Sequence, residues 1–374
     1  KLGVASAMLA TVIGFIFAYA VTRTAIPGKK FFHLMAMLPI VSPPFVIALA
    51  VILLFGRSGV ITNGIFGLTD SNVYGFHSLL FVQTLAFFPL AYLNLRGVLE
   101  SIDTSVEDAA LNCGASRGHV FRTITLPLCV PAIFSALLLV FIKSISDFGN
   151  PQVLAGSYST LSVQAYMQIT GKYDMHTGAF MALSILLPSL LAFLLQKYWI
   201  SKKSYVTVTG KPVNSSGKIQ DKRIIVPLFC ICMLLVLLVV LFYGTVVWVS
   251  FVKTWGVDMS LSVKNYIFAL TRGMGAIKDS VFLALIATPI TAILGMVRKR
   301  FIGKKFVEIS SMLTYAVPGI VLGIGYVLSF NTKPFLLTGT AAIIIIAMVF
   351  RNLSVGLEAG SNSLRHPLRK HPST

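Results

Sequence analysis

Long apolar runs alternate with short polar segments along the 374 residues of the chain. The runs cover residues 3–22, 34–55, 76–95, 128–146, 178–196, 224–250, 280–297, 309–330 and 336–350. A hydrocarbon core about 30 Å thick is crossed by roughly 20 helical residues. The pattern therefore predicts an all-α polytopic membrane protein with about nine transmembrane helices.

The charge distribution predicts how these helices are oriented. The composition is 56% hydrophobic and 11% charged, and the net charge is +19. Most of the basic residues, 22 of the 31 lysines and arginines, fall in segments 22–33, 96–122, 197–223, 298–305 and 351–374. Nine spans place these segments on one face, which the positive-inside rule makes cytosolic. The charge thus indicates orientation in a lipid bilayer, and we expect no nucleic-acid partner.

Internal matches indicate that the chain is built from two similar halves. Gly28-Lys-Lys-Phe31 recurs as Gly303-Lys-Lys-Phe306, and at the same offset Pro43 matches Pro318. Both copies have the same predicted orientation, so the repeat is parallel. The predicted domains are a first transmembrane domain over 1–200 and a second over 224–374. A basic segment rich in Ser and Gly, residues 201–223, is the predicted cytosolic linker.

Residues that could carry covalent chemistry or ion coupling are sparse. All twelve acidic residues fall in predicted loops or at span ends, whereas ion-coupled carriers place ionisable groups inside the membrane. Cys230-x-Cys232 lies within an apolar run and is interpreted as a packing feature, not a metal site. No Gly-x-x-x-x-Gly-Lys-Ser/Thr loop is present. We therefore expect no catalytic residue, metal site or cofactor, and any pumping must draw energy from a partner.

A polar segment between two apolar runs has the pattern of a helix-turn-helix. Thr104-x-x-Glu107 and Ser105-x-x-Asp108 are both capping-box patterns. Gly114 permits the left-handed turn that ends a helix, and a second short segment follows over 115–123. Pro127 then falls near the first turn of the next span, where its missing N–H is harmless. The segment predicts a docking surface at the cytosolic membrane face, with an ordinary ordered loop as the alternative.

The spacing Asp108-Ala-Ala-x3-Gly114-x9-Ile124-x-Leu126-Pro127 resembles the EAA loop of bacterial ABC importer permeases, with Asp where that family has Glu. The resemblance implies a multi-pass protein of the bacterial inner membrane whose loop is a coupling helix that docks on an ABC ATP-binding subunit. It also implies a periplasmic solute-binding protein on the opposite face. The residues implied in docking are Glu107, Asp108, Ala109, Ala110, Gly114, Ala115, Ile124, Leu126 and Pro127.

A second motif points to the solute. Asp147-Phe-Gly-Asn-Pro151 is similar to a segment of two-domain permeases of the ferric-iron type, and related permeases import phosphonates, thiamine or sugar phosphates. Ferric iron is the first expectation, and a phosphorylated anion such as a sugar phosphate or phosphonate is the alternative. Gly149 and Pro151 are expected to break the helix at the outer face. Asp147, Phe148, Gly149 and Pro151 are therefore candidates for an outer gate, and a simple turn remains an open alternative.

The ends of the chain depart from the family pattern. Residues 354–364 resemble the approach to a second EAA loop, and the acidic residue equivalent to Glu107 is expected near position 372, two residues before Thr374. We therefore expect an apparently truncated permease that lacks the first helix and the second coupling loop. A non-transporting remnant stays open as an alternative, and a passive channel or ion-coupled carrier is disfavoured.

Overall fold

The computed structural model describes residues 1–43, 45–68, 70–200, 218–297 and 317–365. This part of the chain is almost entirely helical, as predicted. Its one sheet is a short antiparallel hairpin of β1 (Val252–Thr254) and β2 (Asp258–Leu261). Packing divides the chain into two compact units, residues 1–163 with 191–262 and residues 164–190 with 263–374.

Both units are helical. The helices of the first unit are α1 (Leu2–Arg23), α2 (Lys29–Val41), α3 (Val46–Phe55), α4 (Phe76–Ser101), α5 (Thr104–Asn112), α6 (Arg117–Val120), α7 (Leu126–Ile145), α8 (Gly149–Leu154) and α11 (Lys222–Ser250). Most of the second unit is formed by α9 (Leu161–Thr170), α10 (Met175–Leu194), α12 (Lys264–Arg272), α13 (Met274–Val297), α14 (Gly319–Ser329) and α15 (Ala341–Arg365). Short π-helical segments cover Val60–Ile65, Phe121–Thr125 and Leu195–Ile200.

Seven helical segments of the described chain are long and apolar enough to cross a membrane. They are Leu2–Arg23, Val46–Ile65, Phe76–Ser101, Arg117–Ile145, Met175–Tyr198, Lys222–Ser250 and Met274–Leu294. At the last two predicted runs the apolar helices are shorter, Gly319–Ser329 and Ala341–Leu353. The polytopic helical fold is confirmed, but the predicted number of about nine spans is not.

The apolar run over 34–55 is broken, although the sequence predicted a single span there. Helix α2 ends at Val41, and Ser42 has an extended backbone with φ −82° and ψ 156°. The residue before a proline disfavours the helical region, and Pro43 itself lacks the N–H that would continue the helix. The span in this part of the chain is instead formed by α3 together with the π-helical segment that follows it.

The core of the first unit is formed by α1, α4 and α7, and small residues bring the first two close together. A Cβ atom added at Gly14 of α1 would lie 2.8 Å from both the Cβ of Ala91 and the backbone nitrogen of Tyr92 in α4. Small residues at such contacts let membrane helices approach closely. Beside them, the rings of Phe17 and Tyr92 meet edge to face at 5.2 Å.

Helix α11 lies in the first unit, although it belongs by sequence repeat to the predicted second domain. The rings of Phe229 and Phe32 are 5.6 Å apart, and Trp255 Nε1, just beyond α11, donates to the carbonyl oxygen of Leu53 at 3.2 Å. Division by packing and division by sequence repeat are different properties, so the predicted boundaries stay a prediction. Most of the predicted linker, residues 201–217, and the second Gly-Lys-Lys-Phe motif lie outside the described residues.

The second unit has its own small core. Ala165 of α9, Ala182 of α10 and Ile324 of α14 are buried against one another, and α13 packs along α15.

Candidate functional site

The polar segment between α4 and α7 folds as a helix-turn-helix. Helix α5 begins after Asp103, whose carboxylate accepts a hydrogen bond from the backbone N–H of Ser105 at 2.9 Å. The sequence pattern had placed the cap one or two residues later, at Thr104 or Ser105, and that prediction was wrong. A carboxylate is a strong N-cap acceptor. The hydrogen bonds from Ser105 also hold the pKa of Asp103 below its ordinary value.

The turn at Gly114 is formed as the sequence predicts. Gly114 has φ +88°, and the N–H of Ala115 donates to the carbonyl of Ala110 at 3.0 Å. This is the hydrogen bonding that closes a helix with a left-handed residue after its last turn. Helix α6 then begins after Ser116, whose Oγ accepts a hydrogen bond from the N–H of His119 at 3.3 Å.

The second part of the segment runs directly into the membrane span. Instead of a short separate helix over 115–123, α6, the π-helical segment and α7 form one continuous helical stretch, Arg117–Ile145. Pro127 lies in the first turn of α7. Since Pro127 cannot donate to a carbonyl in the preceding turn, the regular hydrogen-bond ladder is interrupted where the wider π-helical segment occurs.

Glu107 points inward and connects α5 to two membrane helices. Its Oε1 lies 3.4 Å from Nη2 of Arg23 at the end of α1, and it accepts a hydrogen bond from Thr125 Oγ1 at 2.8 Å. The Glu107 and Arg23 side chains are only 16% and 9% exposed. Glu107 therefore ties α5 to the end of α1 and to the start of α7.

The opposite face of α5 is open. Val106 is 48% exposed, and Ala109 and Cys113 are also exposed. Their spacing of three and four residues places all three on the same side of the helix. We call these three residues the α5 outer face. Of the other residues predicted for docking, Gly114 and Pro127 are exposed, whereas Asp108, Ala110, Ala115, Ile124 and Leu126 are half-buried.

The predicted outer-gate residues lie just beyond the other end of α7, and Asp147, the acidic one among them, is buried. Asp147 is 7% exposed, and its Oδ2 accepts hydrogen bonds from Gln83 Nε2 and Asn150 Nδ2, each at 2.9 Å. Burial raises the pKa of Asp147, and these two donors act in the opposite direction. Asp147 therefore forms part of a polar cluster inside the unit.

The other three gate candidates lie at the start of a new helix, α8. Helix α7 already ends at Ile145, and Gly149 is the first residue of α8, so Gly149 does not itself break α7. Phe148 precedes α8 and is half-buried, and Pro151 is buried in its first turn, where no N–H is required.

Gln83 joins this cluster to α1, a contact that no sequence pattern indicated. Its Oε1 accepts from Ser6 Oγ at 3.0 Å and from Ser144 Oγ, while its amide nitrogen donates to Asp147. The donors and acceptors lie in α1, α4 and α7, in the link between α7 and α8, and at the start of α8, and they are fully or almost fully buried. The cluster thus fixes these four helices to one another.

We expect Asp147→Asn to keep the stability of the first unit and Asp147→Ala to lower it. Asparagine retains a carbonyl oxygen for the Gln83 and Asn150 donors, whereas alanine leaves both buried amides without that acceptor. An unsatisfied buried donor costs about 1–3 kcal/mol. Thermal unfolding of the two variants in detergent checks the expectation, and equal melting temperatures would contradict a structural role for the carboxylate.

A cavity of about 640 Å³, which we call the outer cavity, is lined by the end of α3 and by loop residues on the predicted outer face. Its polar and aromatic lining includes Arg57, Asn72, Tyr74, Ser157 and Trp255, and no carboxylate. Across the described residues, no three His, Cys, Asp or Glu side chains lie together in a way that could hold a metal ion.

Known transport proteins are similar to the chain in sequence. Residues 10–205 match the family model of the "Binding-protein-dependent transport system inner membrane component". The chain is 40% identical to the ferric transport system permease protein FbpB of Actinobacillus pleuropneumoniae, over 94% of this chain and 54% of that protein. It is 30% identical to the molybdenum transport system permease protein ModB of Haemophilus influenzae, over 54% of this chain and 90% of that protein.

The chain spans just over half the length of the ferric relative. The family match covers the helix-turn-helix segment, all of the Asp147 cluster except Ser6, and at least part of five of the seven apolar segments. The resemblance to importer permeases and the multi-pass inner-membrane location are therefore confirmed. The chain belongs to the family of binding-protein-dependent transport system inner membrane components, the permeases of ABC importers.

Proposed function

We propose that this chain forms part of the path of an ATP-driven importer, and that the α5 outer face receives a cytosolic ATP-binding subunit. The observation that carries the proposal is the two-sided character of α5. One side is exposed, and the other is tied through Glu107 to Arg23 and Thr125. A helix that is open to a partner on one side and fixed to membrane helices on the other can pass movement between them.

The energy source is a separate subunit. The sequence contains no phosphate-binding loop of the Gly-x-x-x-x-Gly-Lys-Ser/Thr type. ATP-driven closure of the partner subunits reaches the permease through α5. The permease itself supplies a path across the membrane and makes or breaks no covalent bond.

We expect Glu107→Gln to reduce uptake while leaving the ATP-binding subunit attached. Glutamine has the same size and keeps an acceptor for Thr125, but it removes the charge that faces Arg23. Coupling between distant sites is commonly worth 1–3 kcal/mol, so a loss of roughly tenfold in solute uptake is expected. The assay uses the full-length transporter that contains this chain, with ATP hydrolysis measured in parallel.

Glu100→Gln is the matched control. Glu100 also pairs with an arginine, Arg96, at 2.7 Å, but its side chain is 51% exposed. Exposed pairs contribute only about 0–1 kcal/mol, so this variant keeps normal uptake. Equal uptake by the Glu107 and Glu100 variants would refute the transmitting role of Glu107.

Ferric iron is the leading solute, because the relative that is 40% identical is named as a ferric permease. We propose that a periplasmic binding protein selects the iron and releases it at the outer face. Uptake of radiolabelled ferric iron by cells that express the full-length transporter tests this assignment.

A phosphorylated anion is the second candidate solute. The outer cavity is lined by Arg57 and by no carboxylate, a charge that suits an anion. Uptake of a labelled sugar phosphate, with no uptake of iron, would select this candidate. Absence of both activities in a correctly inserted transporter would reject both candidate solutes.

A further inference from the structure

A second cavity lies against the inner side of α5 and is strongly basic. Its volume is about 590 Å³, and it is enclosed by parts of α1, α2, α4, α5 and α6. The lysines and arginines in its lining are Arg23, Lys29, Lys30, Arg96, Arg117 and Lys218. Three carboxylates, Glu100, Glu107 and Asp108, line it as well. Six basic side chains therefore face three acidic ones, and two of the acidic ones are already paired with Arg96 and Arg23.

Two of the cations present buried donors that nothing in the described chain accepts. The Arg23 side chain is 9% exposed, and its Nε has no hydrogen-bond partner among the described residues. The ammonium nitrogen of Lys29 is likewise buried and without an acceptor there. Leaving a buried charged donor unsatisfied is costly. Such groups indicate a place where an external acceptor binds.

Lys29 and Lys218 come close to each other at this cavity. Burial and the positive charge of Lys218 together lower the pKa of Lys29 to about 8. Two ammonium groups carry only donors, so neither satisfies the other. A group with several acceptor oxygens and negative charge would satisfy both and remove their repulsion.

We propose that this basic cavity binds a phosphate-bearing anion, held by Arg23, Lys29 and Lys218. A phosphate has several strong acceptor oxygens and up to two negative charges, which match a guanidinium and two ammonium groups. The anion is either free phosphate or the headgroup of an anionic phospholipid, because the cavity lies at the cytosolic ends of membrane helices. Bound there, it links the end of α1 to the start of α2 and to Lys218. The inference does not depend on which solute is transported.

The test measures binding of inorganic phosphate to the purified, delipidated chain by calorimetry. We expect saturable binding that weakens roughly tenfold in Lys29→Gln, since the substitution removes one charge-assisted hydrogen bond to the phosphate. Lys222→Gln is the matched control, because Lys222 is an exposed lysine on the same membrane face and does not line the cavity. Phosphate binding to this control is expected to be unchanged.

Two further readouts complete the experiment. Native mass spectrometry of the chain from nanodiscs that contain phosphatidylglycerol detects a retained headgroup; retention that Lys29→Gln abolishes identifies the lipid source. Without phosphate or lipid, Lys29→Gln is expected to melt no lower than the unsubstituted chain, because it removes a buried unsatisfied ammonium. The proposal is overturned by a lack of both phosphate binding and lipid retention, by equal losses in the Lys29 and Lys222 variants, or by a lower melting temperature of Lys29→Gln in the absence of anion.

Discussion

Gly114→Arg is expected to abolish binding of the ATP-binding subunit while the chain still inserts into the membrane. Gly114 has φ +88°, a backbone conformation that costs an L-residue roughly 1–2 kcal/mol. No described atom lies within 4 Å of a Cβ added at this position, so the arginine projects from the surface without an internal clash. The altered turn and the bulky charge then fall next to the α5 outer face. Co-purification of the subunit from solubilised membranes measures the loss.

Two control variants separate backbone conformation from surface bulk. Gly114→Asn is expected to keep the subunit, because asparagine tolerates the left-handed region better than other residues with a Cβ. Gly97→Arg introduces the same side chain on α4, at another exposed glycine with no described atom within 4 Å of an added Cβ. As a control for surface bulk, it is also expected to keep the subunit. Normal uptake by the Gly114→Arg protein would eliminate the docking role of this turn.

Gly14→Val is expected to prevent the first unit from folding. An added Cβ would lie 2.8 Å from the backbone nitrogen of Tyr92, and a backbone atom cannot move aside as a flexible side chain can. Overpacking costs about 1–3 kcal/mol and more where the backbone must shift. Gly244→Val is the matched control, because Gly244 is an exposed residue of α11 with no described neighbour within 4 Å of an added Cβ. Size-exclusion chromatography and thermal unfolding in detergent compare the two variants, and similar behaviour would contradict the close contact between α1 and α4.

The apolar runs predicted the main helices well because burial in lipid demands long uninterrupted apolar segments. The same criterion missed the end of α2 at Val41, because average hydropathy takes no account of the backbone N–H that Pro43 lacks. The two consecutive prolines at 43 and 44 were the available signal. Residues 309–316 of the run that contains α14 lie outside the described chain, so the predicted length of that run stays a prediction.

The site was predictable as a segment but not as a set of contacts. The spacing around Gly114 located the turn, since few residues adopt its φ value. Glu107 was grouped with the docking residues, but its inward direction depends on Arg23, which lies far away in the sequence. Gln83 and Asp147 likewise find each other only after α4 and α7 pack, and local patterns carry no information about such pairs.

The most direct measurement is crosslinking from Cys113, a free exposed cysteine on the α5 outer face. A photoreactive thiol probe is attached to Cys113 in a Cys230→Ser background of the full-length transporter, and illumination is followed by identification of the crosslinked protein. Cys230, the other exposed cysteine of the described chain, lies in α11 and carries the same probe in a Cys113→Ser background as the control. We expect the ATP-binding subunit to be captured from Cys113 and not from Cys230. Capture from Cys230 alone, or from neither position in an assembled transporter, would contradict docking on α5.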